Sequence, residues 1–257
     1  LHSFPTRRSS DLPDTELVVW PENAVVPDIL QHYYRSDEPY RHALVRWLLS
    51  YIDGKTCAFV LGNNHAGSDG RNGNAVLYFQ PGKNVDPPRP PVYTKMRLVP
   101  FSEGKLSPGS RPVLFSVAGF PFVTPVCFED TFPLQVRRLV AKEAALIVNL
   151  SNDSWSYSRA CQKQHLAMAA FRSAENDLPS IRSTASGETC VIDRRGKVVS
   201  LLPAFEQGFL TAKVPLSPRR TVTLYQMTGD GPVQAALFLT VFLFLAAFFC
   251  HWNKKQK

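Results

Sequence analysis

Short apolar runs alternate with amphipathic stretches along most of the chain, and this pattern predicts a mixed α/β domain. Residues 17–20 are a short apolar run stopped by Pro21, which is typical of a buried strand. Residues 39–52 repeat apolar side chains at a helical spacing, and Gly54 follows as a stop signal. A strand is therefore expected first and a helix after it.

The same reading extends to about residue 214. Further strands are predicted at 57–61, 75–79, 113–117, 122–127, 145–150, 179–182, 187–192, 197–201 and 209–214, and further helices at 132–145 and 164–176. A Gly/Asn-rich turn is expected at 62–74, and a hairpin turn at 193–196. Strands and helices mixed in this order imply two sheets covered by helices, and we expect one domain over 13–220.

The C-terminal part differs in kind, because residues 231–250 contain no charged side chain. Twenty helical residues at about 1.5 Å each span the roughly 30 Å hydrocarbon core of a bilayer. A buried core helix would need only one apolar stripe, whereas this segment is apolar nearly all round. We therefore expect a linker at 221–230, a transmembrane helix at 231–250 and a Lys-rich cytoplasmic tail at 251–257, with the large domain outside the cytoplasm.

Residues 1–12, LHSFPTRRSSDL, fit none of these patterns and lack the apolar core of a signal peptide. The run FPTRRSSDL looks like a translated sequencing adapter. We interpret residues 1–12 as a non-native artefact and expect the native sequence to begin near Pro13, already inside a domain.

Charge and cysteine content narrow the classes of function. The net charge of +8 is not concentrated in a basic block, and no Cys/His finger spacing occurs, so an anionic membrane surface is a better partner than nucleic acid. The five cysteines are scattered and form no CxxC pair, which indicates neither a disulfide framework nor a zinc site.

Cys127 has neighbours that suggest chemistry. It ends the predicted apolar strand at 122–127 and precedes a predicted helix, a turn that can hold a nucleophile near backbone N–H groups. A cysteine there needs a cation or a general base to become a thiolate, and none of the six histidines lies in a recognisable Cys/His signature. From the residues alone, a buried core cysteine remains the alternative.

Three separated segments, in this order, resemble the nitrilase (carbon–nitrogen hydrolase) superfamily. They are Trp20-Pro21-Glu22, the run of residues 93–101 that contains Lys95, and Cys127-Phe128-Glu129. Further matches at residues 102–103, 151–155, 164–165 and 172–175, followed by the apolar C-terminal helix, are similar to the extracytoplasmic domain of the apolipoprotein N-acyltransferase branch. Phe128 departs from that branch, which usually has Tyr at this position.

The resemblance implies a nitrilase-like α-β-β-α sandwich and a Glu–Lys–Cys triad. Glu22 would be the general base, Cys127 the nucleophile, and Lys95 the cation that favours the thiolate and the oxyanion. The implied reaction transfers an acyl chain from a phospholipid to the N-terminal diacylglyceryl-cysteine of a lipoprotein through a Cys thioester. It needs no metal or organic cofactor and takes place at the bacterial inner membrane, on the extracytoplasmic side.

Supporting roles follow from the same resemblance. Glu103 would lie near Lys95, Glu129 would stand two residues after the nucleophile, and Trp155 would lie near the lipid. Each has an alternative: a solvated loop residue for Glu103, a helix cap for Glu129 and plain packing for Trp155.

Two other functions remain open at this point. A nitrilase-superfamily amidase would hydrolyse a small amide with the same triad, although a small soluble substrate requires no membrane anchor. A catalytically inactive, membrane-anchored binding protein would keep the fold but not the chemistry.

Overall fold

The computed structural model describes residues 14–255 except 26–27, 36, 68–69, 85–87, 141–142 and 218–220. Residues 1–12, interpreted above as non-native, lie outside the described residues. Two mixed β-sheets face each other and helices cover their outer sides. This confirms the expected α-β-β-α layering.

The first sheet is built from strands near the N-terminus. Its strands are β1 (Leu17–Trp20), β2 (Ala58–Ala66), β3 (Asn72–Phe79) and β4 (Val92–Thr94). They lie in the order β1-β2-β3-β4, with β1 parallel to β2 and the other pairs antiparallel.

The second sheet contains the remaining strands. They are β5 (Phe115–Val117), β6 (Phe120–Val123), β7 (Leu146–Asn152), β8 (Ser180–Ala185), β9 (Thr189–Ile192) and β10 (Val198–Leu202). Their order is β10-β9-β8-β7-β6-β5, and the central strands β6, β7 and β8 are parallel. Because the carboxyl ends of parallel strands share one edge, the segments that follow these three strands meet there.

Six α-helices and one 3-10 helix complete the described part of the chain. They are α1 (Ile29–Tyr34), α2 (Pro39–Asp53), the 3-10 helix Cys127–Thr131, α3 (Pro133–Val140), α4 (Arg159–Asn176), α5 (Leu224–Thr228) and α6 (Gly231–Lys255). Helix α2 packs on the outer face of the first sheet, where Leu49 and Ile52 join Phe59 and Leu61 in one buried cluster. Helix α4 covers the second sheet, with Ala169 buried against β9.

The main core lies between the sheets and under α3. Val60 and Val76 of the first sheet share it with Phe122 and Val148 of the second. The Ser183 hydroxyl also donates a hydrogen bond of 3.1 Å to the backbone oxygen of Val19, which links β8 directly to β1. Burial of this apolar surface stabilises the folded domain by about 25 cal/mol per Å². The packed core therefore fixes the positions of the strand ends that surround the site.

Strands β2 and β3 extend well into the turn predicted at 62–74. The sequence pattern breaks there because polar residues enter the strands. The buried amide oxygen of Asn63 accepts a 2.8 Å hydrogen bond from the backbone nitrogen of Ile29, which begins α1. The short helix α1 itself had no clear apolar period and was not predicted.

Other predicted boundaries also differ, and one predicted strand is missing. Helix α3 ends at Val140, five residues before the predicted end. Helix α4 begins at Arg159, five residues before the predicted start, because the Ser158 hydroxyl caps it by accepting from the backbone nitrogen of Cys161. Residues 209–214, all of them described, belong to neither sheet, so the predicted last strand is wrong.

The C-terminal helix α6 has the length and composition to cross a membrane. Its window Gly231–Phe248 has a mean hydropathy of 2.0 and none of it is buried; it is the one such helix in the described ranges. The segment expected to be a linker contains α5, which is docked on the domain. Arg137 of α3 donates a 2.7 Å bond to the backbone oxygen of Gln226, whose own amide donates to the oxygen of Asn176 at 3.2 Å.

Candidate active site

The three residues predicted to do chemistry follow the ends of three strands, two in the first sheet and one in the second. Glu22 follows β1 by two residues, Lys95 comes directly after β4, and Cys127 begins the 3-10 helix after β6. Their exposed fractions are 4%, 0% and 7%. A carboxyl group, an amino group and a thiol are therefore buried together at one edge of the sandwich. Buried groups remain charged only when oppositely charged or hydrogen-bonding partners lie beside them.

Lys95 lies between two carboxylates. Its Nζ is 2.9 Å from Oε2 of Glu103 and 3.7 Å from Oε1 of Glu22. The amide nitrogen of Asn74 donates to both carboxylates, to Glu103 at 2.7 Å and to Glu22. Burial lowers the pKa of the Lys95 ammonium, but the charge of Cys127 once it is deprotonated and the charges of Glu22 and Glu103 outweigh burial and raise that pKa overall. Lys95 is a permanent cation at this site.

Glu103 is an ionised partner rather than a solvated loop residue. Its side chain is 13% exposed, and its Oε2 accepts a 2.7 Å bond from the backbone nitrogen of Val99. Burial raises the pKa of Glu103, but the donors from Val99, Asn74 and Lys95 outweigh it, so the pKa is lowered. The position expected for Glu103, near Lys95, agrees with the structure.

Cys127 has a backbone conformation that side chains rarely adopt. Its φ is +48°, in the left-handed region, which costs a non-glycine residue about 1–2 kcal/mol. Strand β6 ends at Val123, so the cysteine does not end a strand, as predicted, but begins a helical turn. The preceding residue, Val126, pairs with Leu150 in an isolated parallel bridge, which brings Cys127 alongside Ser151.

The thiol rests protonated. Burial raises the pKa of the Cys127 thiol to about 12; the charge of Glu22 adds to this increase, and the charge of Lys95 opposes it. At pH 7 a pKa of about 12 leaves only about 10⁻⁵ of the sulfur as thiolate. A nucleophilic role therefore requires a base that takes the proton as the sulfur attacks.

Glu129 fastens the Cys127 turn to the loop after Lys95. Its carboxylate accepts bonds of 2.8 Å from the backbone nitrogen of Val126, 2.7 Å from that of Met96 and 2.9 Å from the Tyr93 hydroxyl. The bond from Val126 caps the 3-10 helix that contains Glu129, not the following helix α3 that the alternative named, and the other bonds reach a different segment. Burial raises the pKa of Glu129, but the backbone N–H groups of Val126, Met96 and Arg97 can only donate, so the ionised carboxylate is the species that fits these contacts.

Trp155 is 72% exposed in the loop after β7, so the packing alternative does not describe it. Its expected proximity to lipid stays a prediction.

Several residues at this site were not found from the sequence. Asn74, Tyr93 and Gln135 bind the catalytic candidates or Glu129. Asn74 was placed at the end of a predicted turn, Tyr93 in the motif around Lys95 and Gln135 in a predicted helix, and none of them was given a role of its own. The one signal available was a polar side chain inside an otherwise apolar strand or helix face. Among the described residues, no group of three or more His, Cys, Asp and Glu side chains is arranged to hold a metal ion.

A family model described as Carbon-nitrogen hydrolase matches residues 7–223. Apolipoprotein N-acyltransferase 1 of Treponema denticola is 37% identical, over 90% of this chain and 49% of the relative. Apolipoprotein N-acyltransferase 1 of Treponema pallidum is 40% identical, over 79% of this chain and 42% of the relative. The chain thus spans about half the length of the curated relatives it matches.

Solved structures show the same fold at lower identity. Nit3 of Saccharomyces cerevisiae, a member of branch 10 of the nitrilase superfamily, gives a TM-score of 0.59 at 21% identity, over 76% of this chain and 75% of that one. An amidase from Nesterenkonia gives 0.58 at 17% identity, over 74% of each chain. With a family model that matches most of its length, this chain belongs to the carbon–nitrogen hydrolase family.

Proposed function

We propose that this chain is the catalytic part of an apolipoprotein N-acyltransferase that uses Glu22, Lys95 and Cys127. The observation that supports this best is the buried cluster in which the Lys95 ammonium lies 3.7 Å from Glu22 and both charges act on the Cys127 thiol. A carboxylate, an ammonium and a thiol are sufficient for acyl transfer. The similarity to two named N-acyltransferases selects this reaction from those the family performs.

The first half-reaction forms a thioester. Glu22 takes the thiol proton while the Cys127 sulfur attacks the carbonyl carbon of a phospholipid ester. The Lys95 ammonium stabilises the tetrahedral oxyanion. As the intermediate collapses, the ester C–O bond breaks and Glu22 returns the proton to the departing oxygen. A lysophospholipid leaves, and the acyl chain remains on sulfur.

The second half-reaction forms an amide. The α-amino group of a lipoprotein's diacylglyceryl-cysteine attacks the thioester carbonyl, and Glu22 takes a proton from that nitrogen. The C–S bond then breaks, and the sulfur regains the proton from Glu22. The enzyme returns to its starting state with an N-acylated lipoprotein as product.

The apolar helix α6 supports a membrane setting for both substrates. A 25-residue helix at about 1.5 Å per residue exceeds the roughly 30 Å hydrocarbon core. We propose that it anchors the domain to the bacterial inner membrane with the active site on the extracytoplasmic side. Phospholipid and diacylglyceryl-lipoprotein then reach the active site from the same bilayer.

The test is to incubate the full-length natural protein with phospholipid labelled in its acyl chain. We expect label on the protein that hydroxylamine removes, because hydroxylamine cleaves thioesters. Cys127→Ala should abolish the labelling, while Cys161→Ala, which changes a partly exposed cysteine on α4, should leave it unchanged. Labelling that persists in Cys127→Ala would exclude this mechanism.

The same experiment separates the two other functions. An amidase-like hydrolase would release the label as free fatty acid even when an amine acceptor is present, since water would resolve its thioester. A binding protein without catalysis would retain unreacted phospholipid and give no covalent label. Addition of a diacylglyceryl-cysteine peptide should instead move the label to the peptide's amine.

A further inference from the structure

A buried network of four charged side chains lies behind Cys127. Arg182 of β8 donates to Oδ2 of Asp130 at 2.6 Å and to Oδ2 of Asp153 at 3.0 Å. His165 of α4 lies between the same two carboxylates, with Nε2 2.8 Å from Asp130 and Nδ1 3.0 Å from Asp153. None of these residues belongs to the acyl-transfer steps described above.

The network holds the nucleophile segment at several points of its backbone. His165 Nε2 lies 3.2 Å from the backbone oxygen of Cys127 itself. Asn149, which also contacts Arg182, donates to the oxygen of Pro125 at 3.1 Å. The chain is therefore bound on both sides of the residue whose φ is +48°.

Nε2 of His165 faces two acceptors, Oδ1 of Asp130 and the backbone oxygen of Cys127, so this nitrogen is a donor. Burial lowers the pKa of His165, but the charge and hydrogen bond of Asp130 and the hydrogen bond of Asp153 outweigh it and raise the pKa to about 9. The Arg182 guanidinium, 2.9 Å from Nδ1, acts against this increase. With His165 protonated, two cations face two carboxylates, and the network is neutral as a whole.

We propose that His165 is a positioning residue that holds the Cys127 backbone in its left-handed conformation. Its Nε2–H donates to the Cys127 oxygen, while Asp130 and Asp153 fix the ring. A left-handed residue other than glycine persists only where its surroundings determine its conformation, and His165 supplies that constraint at the peptide next to the reacting sulfur. The effect on catalysis rests on the proposed acyl transfer, whereas the effect on the backbone does not.

Two substitutions separate the bond to Cys127 from the rest of the network. In His165→Gln the side-chain amide can occupy the position of Nε2 and still donate to the Cys127 oxygen. In His165→Asn the shorter amide occupies the position of Nδ1 and keeps only the bond to Asp153. Both are neutral amides, so both remove the same charge from the network.

The measurements are the single-turnover rate of thioester formation in the full-length protein and the amide hydrogen exchange of residues 126–131. We expect His165→Asn to slow thioester formation on the order of tenfold to a hundredfold with unchanged phospholipid binding, and to speed exchange in that segment. His165→Gln should restore most of both. The melting temperatures of the two variants should agree closely.

Equal losses in the two variants, or exchange at 126–131 that stays at the wild-type rate in His165→Asn, would overturn the proposal and leave His165 with a structural role only. If the wild-type protein forms no thioester from phospholipid, the proposed function fails. The exchange comparison then still decides whether His165 holds the Cys127 turn.

Discussion

Replacing Glu129 by Gln tests how the active-site turn is held. In the structure Oε1 accepts from the backbone nitrogens of Met96 and Arg97 and from the Gln135 amide, at 2.7, 3.1 and 3.2 Å. Oε2 accepts from the backbone nitrogen of Val126 at 2.8 Å. A glutamine side chain has only one acceptor oxygen. The orientation that keeps more hydrogen bonds places this oxygen where Oε1 now lies.

The amide nitrogen then faces the N–H of Val126, which loses its acceptor, although the amide itself can still donate to the Tyr93 hydroxyl. Val126 is fully buried, so water cannot replace the lost bond. One buried donor without an acceptor costs about 1–3 kcal/mol, and the bonds that remain lose the roughly twofold advantage of a charged acceptor. We expect a loss of about 2–4 kcal/mol in the free energy of unfolding, equivalent to a decrease of roughly 4–16 °C in melting temperature for a domain of this size.

The assay is thermal unfolding of the full-length protein in detergent, with Tyr93→Phe as the matched control. That control removes the hydroxyl that donates to Glu129 at 2.9 Å but leaves the carboxylate with its backbone donors, so we expect a loss of about 1 kcal/mol. If Glu129→Gln unfolds at the wild-type temperature, or is less destabilised than Tyr93→Phe, then Glu129 is not the ionised acceptor described above.

Three other predictions concern the charges and the close approach around the thiol. Glu22→Gln should lower the pKa of the Cys127 thiol, and Lys95→Met should raise it. At pH 9, iodoacetamide should therefore alkylate the sulfur faster in the first variant and slower in the second. Changes in the same direction would mean that the two charges do not flank the sulfur. A Cβ at Gly62 would lie 2.5 Å from the Cα of Glu22, so Gly62→Ala should destabilise the protein by about 1–3 kcal/mol, and a variant as stable as wild type would show that β1 and β2 are not packed this closely. The pKa of His165 is about 9 in the folded protein against 6.5 in the unfolded chain, so its protonation contributes on the order of 3 kcal/mol to the free energy of unfolding. This contribution is fully present below pH 6.5 and is lost as the pH rises through about 9. The decrease should be missing when the stability of His165→Gln is measured against pH.

Local patterns were enough to predict the elements that the site depends on. The apolar run at β1 and the helical spacing of α2 agree with the structure almost to the residue, because both elements bury one continuous apolar face. The pattern failed where polar side chains are buried with specific partners. Asn63 lies inside β2 because the start of α1 supplies its hydrogen bond, and no local period predicts a partner 34 residues away.

The same distinction, between what a local pattern predicts and what depends on distant partners, applies to the residues of the site. Lys95 and Glu103 were placed together through their resemblance to a family motif, and the structure has them 2.9 Å apart. The left-handed backbone of Cys127 and the bond between Arg182 and Asp130 were not predicted. Both depend on tertiary contacts, the second across 52 residues, and a single sequence contains no signal for either.

The unequal distances around Lys95 indicate how one cluster can serve both halves of an acyl transfer. Glu103 is the closer partner, at 2.9 Å, and Glu22 is farther away, at 3.7 Å. In the proposed mechanism Glu22 takes the proton from Cys127, so one negative charge would disappear from the carboxylate and one would appear on sulfur, and the net charge of the pocket would be unchanged. Lys95 keeps Glu103 as its ion-pair partner throughout, which avoids the large cost of leaving a buried ammonium uncompensated. Under the proposed mechanism, a second carboxylate beside the lysine therefore leaves Glu22 free to exchange protons with the thiol, the leaving oxygen and the incoming amine.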